Sequence, residues 1–362
     1  MSSESPTVSI IISAYEGIGY LPATIDSILQ QTCSDFEVLV FTNDCRQIRS
    51  WFRRQPDCRL RFILQSLSLA TAFNRGIFEA KGKYIAFIQP GDLWHTHKLA
   101  KQITALDLHP EIGLVHSYSI SIDLQGHLTS KLVKQGCPNT ALASKDLFSR
   151  SEILAQNQLS LSTVMLRRQC FEIVGLFDPS LTVIPDWEMW IRLSLYYHFM
   201  AVDEPLVYFR QYPTGFRHDC SKLEPDLQTA IEKVYACLPL ERSPQKHLSY
   251  GYASLFLAEQ TLYHKHPNPA VARNYLYQAL QHDFLLALTP KFCRLRWSLF
   301  TLSYRHERCR HLLVLTQTVI NQLQFSINKA GERCQNIIDW ILGEQDSIIF
   351  WKNRKVKREG KD

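Results

Sequence analysis

Four short apolar runs in the first ninety residues constrain the fold most: VSIIISA (8–14), FEVLVF (36–41), RFIL (61–64) and YIAFI (84–88). Each is too short for a buried helix and rich in β-branched or aromatic residues, as strands covered on both faces are. Stretches of helical spacing separate them. In LPATIDSILQQ, Leu21, Ile25, Ile28 and Leu29 recur on one face, and LATAFNRGIFEAKG repeats the pattern. Strands alternating with helices of this length imply βαβ units and a mainly parallel sheet, with ligands at the carboxyl ends of the strands. Those ends are Tyr15-Glu16, Thr42-Asn43-Asp44 and Gln89 to Asp92.

The pattern continues with a helix in HKLAKQITALDLH, an alternating strand in IGLVHSYSISID, a polar loop from Leu132 to Ser144, and a strand in STVMLRR. PDWEMWIRLSLYY then reads as a helix opened by Pro185, which suits a first turn because proline needs no amide partner there. EPLVYFRQY is a further strand. From about residue 222 only helical spacing remains, including two helices around a Pro-Asn-Pro turn that loosely resemble one tetratricopeptide unit. Such a unit cannot bury its apolar face alone. The expected domains are 1–221, a helical region 222–350, and a basic tail 351–362.

Composition excludes several classes. A net charge of +6 over 362 residues, partly gathered in WKNRKVKREGKD, is no nucleic-acid surface. The ten cysteines include no CxxC pair and read as reduced, packed thiols. MSSESPTVS has no basic-then-apolar leader, and no window reaches the roughly 18 to 20 apolar residues of a membrane helix. A cytoplasmic chain is expected, with peripheral attachment to the membrane inner face as the option the tail leaves open.

In order and spacing, VSIIISAYE, IDSILQQTCSDFEVLVFTND, NRGIFEAKGKYIAFIQPGDLWHTHKL and VGLFDPSLTVIPDWEMWIRL resemble the family 2 inverting glycosyltransferases of the GT-A fold, over roughly residues 7 to 215. The resemblance implies an α/β GT-A domain that moves a sugar from a nucleotide-sugar donor to an acceptor hydroxyl, in cell-surface polysaccharide or glycolipid synthesis. It places the base at Asp186, nucleotide contacts at Ser13, Tyr15, Glu16, Asn43, Asp44 and Asn74, and a divalent ion (Mg or Mn) on Asp92. An N-terminal carboxylate favouring the helix dipole is the bland alternative for Asp186, and a turn pair that for Asn43-Asp44.

The chain departs from the family on the metal and phosphate side. Gln89 and Gly91 stand where further acids are common, Phe73 where an arginine often precedes Asn74, Tyr212 where a histidine often precedes Pro213, and Pro185 where a second acid precedes the base. An amide is a poorer ligand for a hard cation than a carboxylate, so the ion is expected to be weakly held or dispensable, with Arg75, Arg210, Arg217 or His218 facing the phosphates. The rival reading is a catalytically weak sugar-nucleotide or glycan-binding scaffold that docks to protein partners through its helices. His95 and His97 are expected to face solvent, and Trp94 to pack.

Overall fold

The order of strands across the sheet places the site, and it runs Leu60–Leu64, Phe36–Thr42, Val8–Ser13, Tyr84–Ile88, Met165–Arg167, Ile112–Ile122, His198–Arg210 and Leu93–Trp94, with Leu128–Val133 paired to Ile112–Ile122. A computed structural model describes residues 5–15, 17–42, 50–53, 57–65, 67–133, 157, 159–211, 220–236, 243–264 and 266–304. The chain divides into two compact units, Met1–Arg296 and Trp297–Asp362; the second is described only over 297–304.

In chain order the elements are β1 (Val8–Ser13), α1 (Leu21–Leu29), β2 (Phe36–Thr42), β3 (Leu60–Leu64), α2 (Leu69–Glu79), β4 (Tyr84–Ile88), β5 (Leu93–Trp94) and α3 (Lys98–Leu108). There follow β6 (Ile112–Ile122), β7 (Leu128–Val133), β8 (Met165–Arg167), α4 (Cys170–Val174), α5 (Pro185–Tyr196) and β9 (His198–Arg210). Helices α6 (Cys220–Ala236), α7 (Ser243–Leu262), α8 (Pro269–His282) and α9 (Pro290–Tyr304) close the described chain. None of the described helices is long and apolar enough to cross a membrane.

Strands β3, β2, β1 and β4 are parallel. Their alternate side chains fill two cores, because neighbours on a strand point to opposite faces. Ile10, Ile12, Val38, Val40 and Ile88 pack with Ile25 and Ile28 of α1 and Leu99 and Leu106 of α3. On the other face α2 lies against β1 at Gly76, where a Cβ would stand 2.7 Å from the Ile11 side chain. Beside it, rings of Phe73, Phe87 and Phe177 meet edge-on or tilted at 5.0 to 5.7 Å, and Trp190 of α5 adds to Phe177 at 6.3 Å. Phe73, in the family's arginine position, is a core residue 1% exposed.

The second half of the sheet is mixed rather than mainly parallel. β8 runs antiparallel to both β4 and β6, β6 and β9 are parallel, and β5 is antiparallel to β9. β9 also begins at His198, earlier than its apolar run suggests. In the helical region Asn268 caps α8 by accepting from Val271 N at 3.2 Å, and Pro269 occupies its first turn.

Candidate functional site

The ends of β1, β2 and β3 are tied together at backbone level. Thr42 Oγ1 donates to Ala14 O at 2.9 Å, Ala14 N donates to Phe41 O at 2.7 Å, and Tyr15 OH reaches Gln65 O at 2.7 Å. Burial pushes the Tyr15 phenol up, so it stays a neutral donor. Ser13, at the last position of β1, is half-buried. Glu16, Asn43 and Asp44 lie outside the described residues, as do Arg217 and His218.

At the end of β4 the turn Gln89–Asp92 reverses through Gly91, whose φ of 105° suits a residue without a side chain. Thr24 of α1 holds this turn by donating to Asp92 O and accepting from Gly91 N, both at 2.9 Å. Asp92 is 3% exposed. One carboxylate oxygen accepts from Ser162 Oγ at 2.5 Å and the other from Arg210 N at 3.1 Å. Ser162 Oγ also accepts from Gln89 N at 3.0 Å. Burial raises the Asp92 carboxyl to about 6 against the pull of these donors. Arg210, proposed from sequence to face the phosphates, instead donates to the carbonyls of Gly91, Asp123 and Leu124 at 2.7 to 2.8 Å. Arg75 is exposed and paired with Glu79 at 2.5 Å.

This donor set fits a preformed divalent-ion site poorly. Both Asp92 oxygens are engaged within the protein, Gln89 and Gly91 supply no carboxylate, and the described residues contain no group of three His, Cys, Asp or Glu able to hold an ion. Trp94 is 3% exposed and donates Nε1–H to Ser162 O at 3.0 Å. His97 is exposed and His95 half-buried beside it, with ring centroids 5.5 Å apart.

Asp186 stands in the first turn of α5 behind Pro185. It is half-buried, accepts from Asn157 Nδ2 at 3.1 Å, and makes no ion pair among the described residues. Burial raises its carboxyl from the ordinary aspartate value, the Asn157 amide opposing. Glu188, two residues on, is instead paired with Arg192, which also donates to Val174 O and Leu176 O. Of the two acids in this turn, Asp186 is the one whose carboxylate meets no cation among the described residues. Asn74, placed by sequence among the nucleotide contacts, binds the Phe177 backbone with both ends of its amide, Nδ2 to O and Oδ1 from N, each at 2.8 Å.

Ser162, Asn157 and the backbone of Arg210 were not singled out for these contacts from sequence. They lie 70, 29 and 118 positions from the carboxylates they serve. No local spacing signals such pairings.

Residues 9–147 match the glycosyl transferase family 2 model. An uncharacterized glycosyltransferase of Rickettsia typhi is 28% identical over 190 residues, covering 52% of this chain and 58% of its own length. Another from Nostoc sp. is 26% identical over 219 residues, with coverages of 56% and 64%. The chain thus spans about three fifths of these relatives. A mannosyltransferase from Pyrobaculum calidifontis, solved in complex with GDP-Man and Mn2+, superposes with a TM-score of 0.51 at 16% identity, over 84% of this chain and 89% of that one. The chain has a GT-A-like α/β fold with a helical C-terminal region, and its residues 9–147 are similar to the glycosyl transferase family 2 model.

Proposed function

We propose that the chain is an inverting glycosyltransferase that moves a sugar from a nucleotide-sugar donor to the hydroxyl of a glycan or lipid-linked acceptor, in polysaccharide or glycolipid synthesis. One observation carries the reading: Asp186, where the resemblance puts the base, is a half-buried carboxylate at the start of a helix, raised in pKa and without an ion pair among the described residues. A base is most effective when its pKa approaches the working pH. The acceptor oxygen attacks the anomeric carbon, its proton passes to Asp186, and the carbon–oxygen bond to the diphosphate breaks with both electrons on the phosphate oxygen. Ser13 and Tyr15, with Glu16, Asn43 and Asp44, are proposed to hold the nucleotide. Asn74 supports the site through Phe177. A Mg or Mn ion is proposed to be weakly held or dispensable, since Asp92 is nearly buried and is the one acid of the turn.

Asp186→Asn tests this directly. Transfer is expected to fall by about 10²- to 10⁴-fold, with folding and nucleotide affinity unchanged. Transfer at the normal rate removes Asp186 as the base. The second reading, a donor-binding scaffold of low activity, is favoured by the engagement of Asp92 at a turn lacking further acids. It predicts nucleotide binding without transfer to any acceptor.

A further inference from the structure

We propose that Asp226, on α6 and well beyond the family segment, is a positioning residue for transfer: it fixes the backbone that leads into α5 and so sets where Asp186 stands. The proposal rests on the reading of Asp186 as the base.

Asp226 is 7% exposed, and a single carboxylate oxygen accepts from Thr182 N at 2.7 Å and Val183 N at 2.6 Å. These two amides precede Asp186 by four and three residues and belong to no helix or strand. Left to itself, such a segment offers its N–H groups to water and samples many conformations. A charged acceptor on two successive amides makes strong bonds and removes that freedom. The same helix reaches the segment a second time, through Lys233, which pairs with Asp178 and donates to Ser180 Oγ at 2.8 Å. The segment's other end is held by the Asn74 amide at Phe177. The approach to the base is therefore fixed from α2 at one end and from α6 at the other. Misplacement of a reacting group by about 1 Å can lower a rate by about 10²-fold, which makes Asp226 important to turnover without its touching substrate.

The test uses the full chain with Asp226→Leu and Asp226→Asn, reading amide hydrogen exchange over residues 178–190 together with kcat and donor KM. In Asp226→Leu, exchange at 182–187 is expected to speed up, kcat to fall about tenfold or more, and donor KM to stay within about twofold, since no donor contact is lost. Asp226→Asn keeps an oxygen that can accept from both amides, so most of kcat should return. A residue that merely filled space would lose little in Asp226→Leu, whose side chain is of similar volume, and would show no split between kcat and KM. Unchanged exchange in Asp226→Leu, or kcat within twofold of the parent, overturns the proposal. Where Asp226→Leu does not fold, Asp226→Ser, polar but too short to reach the amides, carries the same test. If Asp186→Asn transfers normally, the base reading fails by itself, while the exchange measurement still decides whether Asp226 holds the segment.

Discussion

Two opposed influences act on Asp186: burial raises its carboxyl and the Asn157 amide, 3.1 Å away, lowers it. The base proposed at Asp186 works only when ionised, so on that reading the acid limb of kcat against pH is expected to follow this carboxyl. The Asn157 donor favours the charged form. Asn157→Ala removes it, the pKa rises further, and the acid limb should move to higher pH while the alkaline plateau is kept. A kcat profile from pH 4 to 9 checks this; a limb that stays put or moves lower means another group is titrating. Asp186 could be singled out as a candidate from sequence because Pro-Asp-Trp at a helix start is a local pattern. Asn157 could not, because nothing in SEILAQNQLSLS marks it and its partner is 29 positions away.

Among the elements, α1, α2, α3 and α5 were readable because each carries an apolar stripe at helical spacing, and β1, β2 and β4 because they are short buried runs. The mixed half of the sheet was not. Nothing within Met165–Arg167 says that this strand lies between β4 and β6 and antiparallel to both; that pairing is decided by contacts far along the chain. Burial within a legible helix also escaped notice. Lys98, in the first turn of α3, is fully buried, donates to Gln102 Oε1 at 2.6 Å and lies 4.1 Å from the centre of the Trp94 ring. Desolvation drives its pKa well below the ordinary lysine value. The folded state therefore binds this proton less readily than the unfolded chain, where the pKa is about 10.4. Its contribution to stability is unfavourable at lower pH and relaxes as pH rises from the folded pKa toward the unfolded one. Lys98→Met should flatten the rise in unfolding free energy between pH 7 and 9.5, read by urea titration. The bond lost at Gln102 offsets part of the gain at pH 7 by roughly 1 to 3 kcal/mol. A slope equal to the parent's would mean that Lys98 is not the group responsible.

At the scale of the molecule, the strand ends converge on the node of Asp92, Ser162 and Arg210. It joins the turn after β4 to the segment before β8 and to the last residue of β9, so it ties the parallel half of the sheet to the mixed half. A carboxylate used in this way is a structural acceptor first. Each Asp92 oxygen keeps a lone pair beyond these bonds, but the group is 3% exposed and the turn offers no second acid, so an ion there would have a single, nearly buried protein ligand. The donor diphosphate is therefore expected to bind with little help from a divalent ion. Calorimetric titration with UDP, GDP and dTDP, each with manganese and again with chelator, should give dissociation constants within about threefold of each other for the preferred nucleotide; threefold corresponds to about 0.6 kcal/mol. Asp92→Asn separates the two roles. If the node is structural, the variant loses stability by roughly 1 to 3 kcal/mol and keeps its nucleotide affinity in both conditions. If Asp92 is instead an ion ligand, binding in the parent collapses on chelation, and the variant binds with manganese no better than the parent does without it.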